Sequence, residues 1–224
     1  RRATRPWRGP SGIANEVPRA AWQSSCFPLS PRPMQECGLV ARDIACVRGD
    51  RVLFRALSLS VAPGEIVHLA GPNGIGKSSL IRILAGLLRP FAGTVKRSGT
   101  LALADERLAL DGHLPLHRAL GFWQRVDRGH PSQADFGLSD LLDVPVRYLS
   151  TGQRKRAALA RVASSGASLW LLDEPLNGLD QHWSSTAQAA IRAHCAEGGA
   201  VILASHQPLA LAPVRTIRLL DFKP

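Results

Sequence analysis

Two stretches of alternating apolar and polar positions open the regular part of the chain, Leu39 to Val47 and Val52 to Val61. Both predict strands, the second ending at the turn Ala62-Pro63-Gly64. Ile66-Val-His-Leu-Ala70 is nearly unbroken in its apolar character, as a strand buried on both faces requires. The period then changes. Leu80, Ile81, Leu84, Leu87 and Leu88 recur at helical spacing, with Arg82 and Arg89 off that face, so a helix starts near Lys77. Gly93 to Leu103 predicts further β structure, and Pro115 to Tyr148 is mixed and mostly helical. Thr151 to Ser165 predicts a helix with Leu159, Val162 and Ala163 inward. Leu169 to Leu172 is a strand, Gln181 to Ala196 a helix, Ala200 to Ala204 a strand and Val214 to Leu220 a last strand. Strands alternating with helices in 224 residues without internal repeats predict one α/β domain.

Composition alters this picture only at the start. Residues 1–33 are rich in Arg, Pro and Ser and carry neither period, so they cannot bury enough apolar surface to offset their ordering entropy. Met34 is the only methionine and precedes the first strand. Residues 1–33 are therefore expected to be a disordered or non-native extension, with the domain spanning 34–224. Of the net charge of +11, +5 falls before Met34. The remainder suits a surface that handles polyphosphate, and with no recognition motif beside it no nucleic-acid partner is expected. No stretch reaches the roughly 18 uncharged apolar residues needed to cross a bilayer. Cys26, Cys37, Cys46 and Cys195 have no metal-ligand spacing or disulfide framework, which fits a reducing compartment.

The chemistry is concentrated in Gly71-Pro72-Asn73-Gly74-Ile75-Gly76-Lys77-Ser78, which fits the phosphate-loop pattern G-x-x-x-x-G-K-[ST] between a strand and a helix. Its glycines let the backbone close on a phosphate, and the helix start turns amide groups and a positive dipole end toward the anion. Lys77 brings a full charge to the terminal phosphates, and the Ser78 hydroxyl is a Mg²⁺ ligand. Leu171-Leu-Asp-Glu-Pro175 ends an all-apolar strand with two acids. Asp173 suits the Mg²⁺ shell, and Glu174 the activation of a water. Ser205-His206-Gln207 follows the next strand.

These segments, with Leu149-Ser150-Thr151-Gly152-Gln153, resemble the ATP-binding-cassette (ABC) ATPases. The resemblance implies a P-loop NTPase with a RecA-like core, an antiparallel β subdomain and a short helical subdomain near 106–165. It implies that Ser150, Gly152 and Gln153 bind the γ-phosphate held by a second copy, that Asp180 of Asn177-Gly-Leu-Asp180 touches that copy, and that His206 senses the γ-phosphate. Ser79 would meet the α-phosphate. The basic run Arg154-Lys155-Arg156 opposes the dipole of its own helix, which suits an anion-facing site or, taken alone, a solvated helix face.

Two features of relatives differ. Where they carry a glutamine near Leu101 to Arg107, this chain has Asp105 and Glu106, either of which could reach Mg²⁺ through water. Where they stack an aromatic on adenine, only Arg48 is available, and its planar guanidinium can stack instead.

Within the superfamily, Val144 to Asp180, Asp50 to Phe54 and His206 to Leu209 resemble the ATP-binding subunits of the cytochrome c biogenesis haem exporter. That family implies ATP hydrolysis with Mg²⁺, driving release of a haem-loaded chaperone. It also implies a homodimer in the ATP-bound state, a CcmB-like integral membrane permease with haem-handling subunits, and a peripheral position on the cytoplasmic face of a bacterial inner membrane. An ABC subunit for another cargo, or a non-transport ABC ATPase of translation or DNA repair, remains the alternative.

Overall fold

The computed structural model describes residues 38–129, 134–206 and 211–223. The expected extension 1–33, Met34, Cys26, Cys37, His130 and Gln207 to Leu209 lie outside the described residues. In chain order, β1 spans Gly38–Arg48, β2 Arg51–Val61, β3 Ile66–Ala70 and α1 Lys77–Ala85. β4 (Ala92–Ser98) and β5 (Leu101–Ala104) follow, then α2 (Leu116–Asp127), α3 (Thr151–Ala163), β6 (Leu169–Asp173), α4 (Gln181–Ala196), β7 (Ala200–Ser205) and β8 (Arg215–Arg218).

The strands form two sheets. β2-β1-β4 is antiparallel, and β5-β6-β7-β3-β8 is parallel throughout. Burial on both faces explains the all-apolar strands, because alternate residues feed two separate cores. Leu169 and Leu171 of β6 point into a core shared with α1 and the antiparallel sheet. Trp170 and Leu172 point into the other, built from α2, α3 and α4. In α1, Leu80, Ile81, Ile83 and Leu84 are fully buried and clamp the phosphate loop to the sheet.

Three expectations need correction, and the β structure expected over Gly93 to Leu103 is present but divided. Leu87 is 69% exposed, because the helix stops at Gly86, whose φ of 83° ends it in a left-handed turn. Gly93 to Leu103 is two strands in different sheets. Among the described residues of Pro115 to Tyr148 only α2 is an α-helix; Ser139–Leu141 and Val146–Tyr148 are single 3-10 turns, with Pro145 fixing the entry to the second. Val214 to Leu220 keeps strand geometry only through Arg218, after which Leu219–Phe222 winds into a 3-10 turn that buries Leu219.

β3 and β6 both pair with β7 in parallel register. The segments leaving their C-terminal ends therefore emerge along one edge, the usual place for a ligand on an open parallel sheet.

Candidate active site

The loop after β3 is shaped by its own packing. Ile75 is buried beneath it, and Gly76 takes φ 113° with the Phe54 ring 3.1 Å from where a Cβ would stand. Only glycine fits there. Lys77 is 5% exposed, and its Nζ donates to the carbonyls of Gly71 (2.7 Å) and Pro72 (3.3 Å), which folds the loop round the ammonium. Pro72, Asn73 and Gly74 are exposed at the loop's crest, with Gly71, Ser78 and Ser79 half-buried behind it.

β6 delivers the two acids. Asp173 is 2% exposed, and its Oδ1 has no hydrogen-bond partner among the described residues. Burial raises its pKa, the hydrogen bond from Ser78 works against that rise, and Glu106, Glu174 and Asp105 add to it. An orphaned carboxylate oxygen beside a serine hydroxyl fits a divalent cation, whose charge would offset the desolvation.

Glu174 turns off the strand with φ 47°, a left-handed conformation that is uncommon for a side-chain-bearing residue and is held here from several sides. Its N–H donates to Ala204 O at 2.9 Å, and its C=O accepts from Lys155 Nζ at 3.0 Å. Its Oε1 lies 3.3 Å from Lys77 Nζ, and its Oε2 lies 3.0 Å from Nδ1 of His206. The structure thus gathers Lys77, Glu174 and His206 from three loops around one carboxylate.

They line a cleft of about 410 Å³ with Leu53, Asn73, Ser78, Ser79 and Glu106. Sequence reasoning left two acids open, and their side chains diverge. Asp105 pairs with Arg82 at 3.3 Å and accepts from Arg107 N–H at 3.0 Å, whereas Glu106 faces the cleft. Arg48 is exposed at the end of β1 and is not among the cleft's lining residues; Leu53 of β2 is. Leu53 and Asn177 were missed, since neither stands out from its neighbours in sequence. A second cleft of about 420 Å³ between β5 and α2 is mostly apolar, with Arg161 and Asp127 in its walls.

The Leu149 to Gln153 turn lies at the start of α3, where Ser150 is exposed. Ser150 Oγ accepts from Gln153 N–H at 3.3 Å, and Ser150 N–H donates to Gln153 Oε1 at 2.8 Å. This is a capping box, legible in the Ser-x-x-Gln spacing and overlooked in favour of the phosphate role. A Cβ on Gly152 would stand 3.2 Å from Gly178 O, so this turn packs directly on Asn177 to Asp180. Asp180 also has a task within the chain, capping α4 by accepting from Trp183 N–H at 2.9 Å.

The basic run is not a free anion site. Arg154 donates to Arg147 O, Arg156 donates to Phe136 O and Gly137 O and lies over the Trp183 ring, and Lys155 holds Glu174. No helix of the described residues is long and apolar enough to cross a membrane.

Residues 54–177 match the family model described as ABC transporter. Among curated proteins, one from Novosphingobium aromaticivorans named cytochrome c biogenesis ATP-binding export protein CcmA is 78% identical over 191 residues, 85% of this chain and all of the relative. The protein of the same name from Sphingopyxis alaskensis is 56% identical over 77% of this chain and 92% of its own length. Among solved structures, an ABC transporter ATP-binding protein from Pyrococcus furiosus superposes with a TM-score of 0.70 at 21% identity, covering 84% of this chain and 100% of that one, a likeness of fold. The phosphate loop, the paired acids and this degree of identity place the chain in the ABC transporter ATPase family and, within it, among the CcmA-type cytochrome c biogenesis ATP-binding export proteins.

Proposed function

We propose that this chain is the ATP-hydrolysing motor of a cytochrome c biogenesis export complex. In this reading it sits on the cytoplasmic face of a bacterial inner membrane, against a CcmB-like permease and haem-handling subunits. The observation that carries the catalytic part is the placement of Glu174 between Lys77 and His206 in the phosphate-loop cleft. The export setting rests on the name and the 78% identity of the relative.

The loop amides of Gly71 to Ser79 and the positive end of α1 receive the phosphate chain, with Lys77 supplying the full charge. Ser78 and Asp173 would hold Mg²⁺, which offsets charge on the phosphate oxygens when bound. Glu174 orients a water and takes its proton as the water oxygen bonds to the γ-phosphorus. The bond from that phosphorus to the ADP oxygen breaks, leaving ADP and inorganic phosphate. His206, bonded to Glu174, aims the carboxylate. Of the two acids near the place where relatives carry glutamine, Glu106 is the one that faces the cleft.

Ser150, Gly152, Gln153 and Asp180 cap the nucleotide of a second copy, supported by the exposure of that turn and its packing on Asn177 to Asp180. Two copies would then enclose two ATP molecules.

Affinity purification from native membranes, with ATPase measured on the eluate, tests the assignment. A CcmB-like integral protein co-purifying with turnover that Glu174→Gln abolishes is the expected result. A permease of another type would reassign the cargo, and a Glu174→Gln eluate turning over at the wild-type rate would falsify the catalytic role.

A further inference from the structure

Every backbone and carboxylate group of Glu174 has a partner from a different element. The N–H is held by Ala204 of β7 and the carboxylate by Lys77 of α1 and by His206, and each of these belongs to the phosphate-loop machinery described above. The remaining group, the carbonyl, accepts from Asn177 N–H at 3.3 Å within its own turn, and its one partner from another element is Lys155 Nζ at 3.0 Å, from the second turn of α3. We propose that Lys155 is a positioning residue for hydrolysis: by gripping the Glu174 carbonyl it fixes the left-handed turn that aims the general base, and it joins that base rigidly to the turn that meets a second copy's nucleotide. The inference rests on the reading of Glu174 as the base.

Three observations support it. The first is strain: a non-glycine residue at φ 47° needs surroundings that over-determine it, and beside the local 3.3 Å bond from Asn177 N–H the backbone of Glu174 has two bonds to other elements, 2.9 Å to Ala204 and 3.0 Å from Lys155, which fix the peptide groups on either side of the turn. The second is chemistry: a lysine gives a charge-assisted donor to a carbonyl, stronger than a neutral one, and its flexible stem spans from helix to loop. Burial draws the Lys155 pKa down, while the surrounding Asp173, Glu106, Glu174 and Asp105 push it up, so the ammonium also balances a crowded acidic site.

The third is placement. Lys155 follows the capping box of Ser150 and Gln153 by two residues on one helix. The surface that a partner's phosphate would press and the atom that aims this copy's own base are therefore less than two helical turns apart. Arg154 and Arg156, its neighbours, bond Arg147 O and the carbonyls of Phe136 and Gly137 instead, so the contact is particular to Lys155.

The test compares Lys155→Met and Lys155→Arg with Glu174→Gln and the double variant, using the full chain in its membrane complex and reading kcat, KM and equilibrium ATP affinity. Lys155→Met, which keeps the stem, is expected to lower kcat roughly 10- to 100-fold, the effect of misplacing a reacting group by about 1 Å. KM and ATP affinity should stay within about twofold, since the phosphate loop is untouched. Lys155→Arg, which restores a charged donor, should recover most of kcat. In the Glu174→Gln background Lys155→Met should change residual turnover by less than about twofold, because Lys155 acts through the base.

An unchanged kcat in Lys155→Met while Glu174→Gln is inactive overturns the positioning role alone. A parallel loss of ATP affinity overturns it in favour of a purely structural role, as does an equal loss of turnover in both backgrounds. Full activity in Glu174→Gln removes the base itself, and the proposal with it.

Discussion

His194 makes the stability of this fold depend on pH in a way that can be calculated. The residue is 8% exposed near the end of α4, and its ring stacks on Trp170 of β6 with centroids 3.9 Å apart and planes 9° from parallel. Its Nε2 has no hydrogen-bond partner among the described residues, and Gly199 presses on the ring so closely that an added Cβ would lie 2.2 Å from Nε2. Burial therefore disfavours the imidazolium and lowers the pKa from 6.5 to about 4, while the backbone of Ser168 and Ala200 pulls weakly the other way.

With the folded value below the unfolded one, the unfolded chain binds more protons between pH 6.5 and about 4. Stability is therefore complete above pH 6.5 and falls as the solution is acidified through that window. Integrated from pH 7.5 to pH 5, the loss is about 2 kcal/mol, approaching roughly 3 kcal/mol below pH 4. Urea unfolding followed by far-UV circular dichroism at the two pH values measures it. His194→Phe keeps an aromatic ring on Trp170 and removes the proton, so its pH-dependent loss should be smaller by about 2 kcal/mol. If wild type and His194→Phe lose equal stability between pH 7.5 and pH 5, the buried imidazole is not what titrates, and the reasoning fails.

Other expected outcomes concern the cleft and its supports. Glu174→Gln should bind ATP with near-normal affinity, lose about 10²- to 10⁴-fold in turnover and accumulate as a dimer in ATP on size-exclusion chromatography. Lys77→Ala removes the charge inside the loop, and equilibrium titration should show weakened ATP binding itself, not only slower hydrolysis. Arg97→Met deletes the bonds from β4 to the carbonyls of Leu84 (2.6 Å) and Ile83 (2.8 Å) at the end of α1. With the cation lost from a helix C-terminus, thermal unfolding should register about 1–3 kcal/mol less stability.

How far the sequence discloses this molecule depends on whether a feature is local. β3 and α4 are predicted to the residue because each is bounded by strong punctuation, Gly64 and the phosphate loop for one, Asp180 and Gly198 for the other. Leu87 shows the opposite. Its spacing continues the apolar stripe of α1, but Gly86 turns the chain away, and a period cannot register a helix that ends at Ala85, short of Leu87 and Leu88. In Pro115 to Tyr148 apolar residues are plentiful, yet Leu116, Leu120, Phe136, Leu138 and Val146 reach one core from a helix, loops and short turns, and no period connects them.

The site divides in the same way. Phosphate loop, paired acids and histidine were legible because each motif carries its own strand-and-turn context, and parallel pairing through β7 then guarantees that they meet. The choice between Asp105 and Glu106 was not, since it turns on Arg82 seizing the first of two adjacent acids across 23 residues of chain. Nor was the purpose of the basic run. Three cations in the first turns of α3 looked like one electrostatic patch, a reading that assumes they share an environment. They do not: Arg154 and Arg156 tie down neighbouring loops, and Lys155 alone turns toward the acids. Helical geometry sends adjacent residues about 100° apart, so a run of like charges on a packed helix is better treated as separate residues with separate partners. The one that points at the end of β6 is then the one whose removal should be felt in kcat.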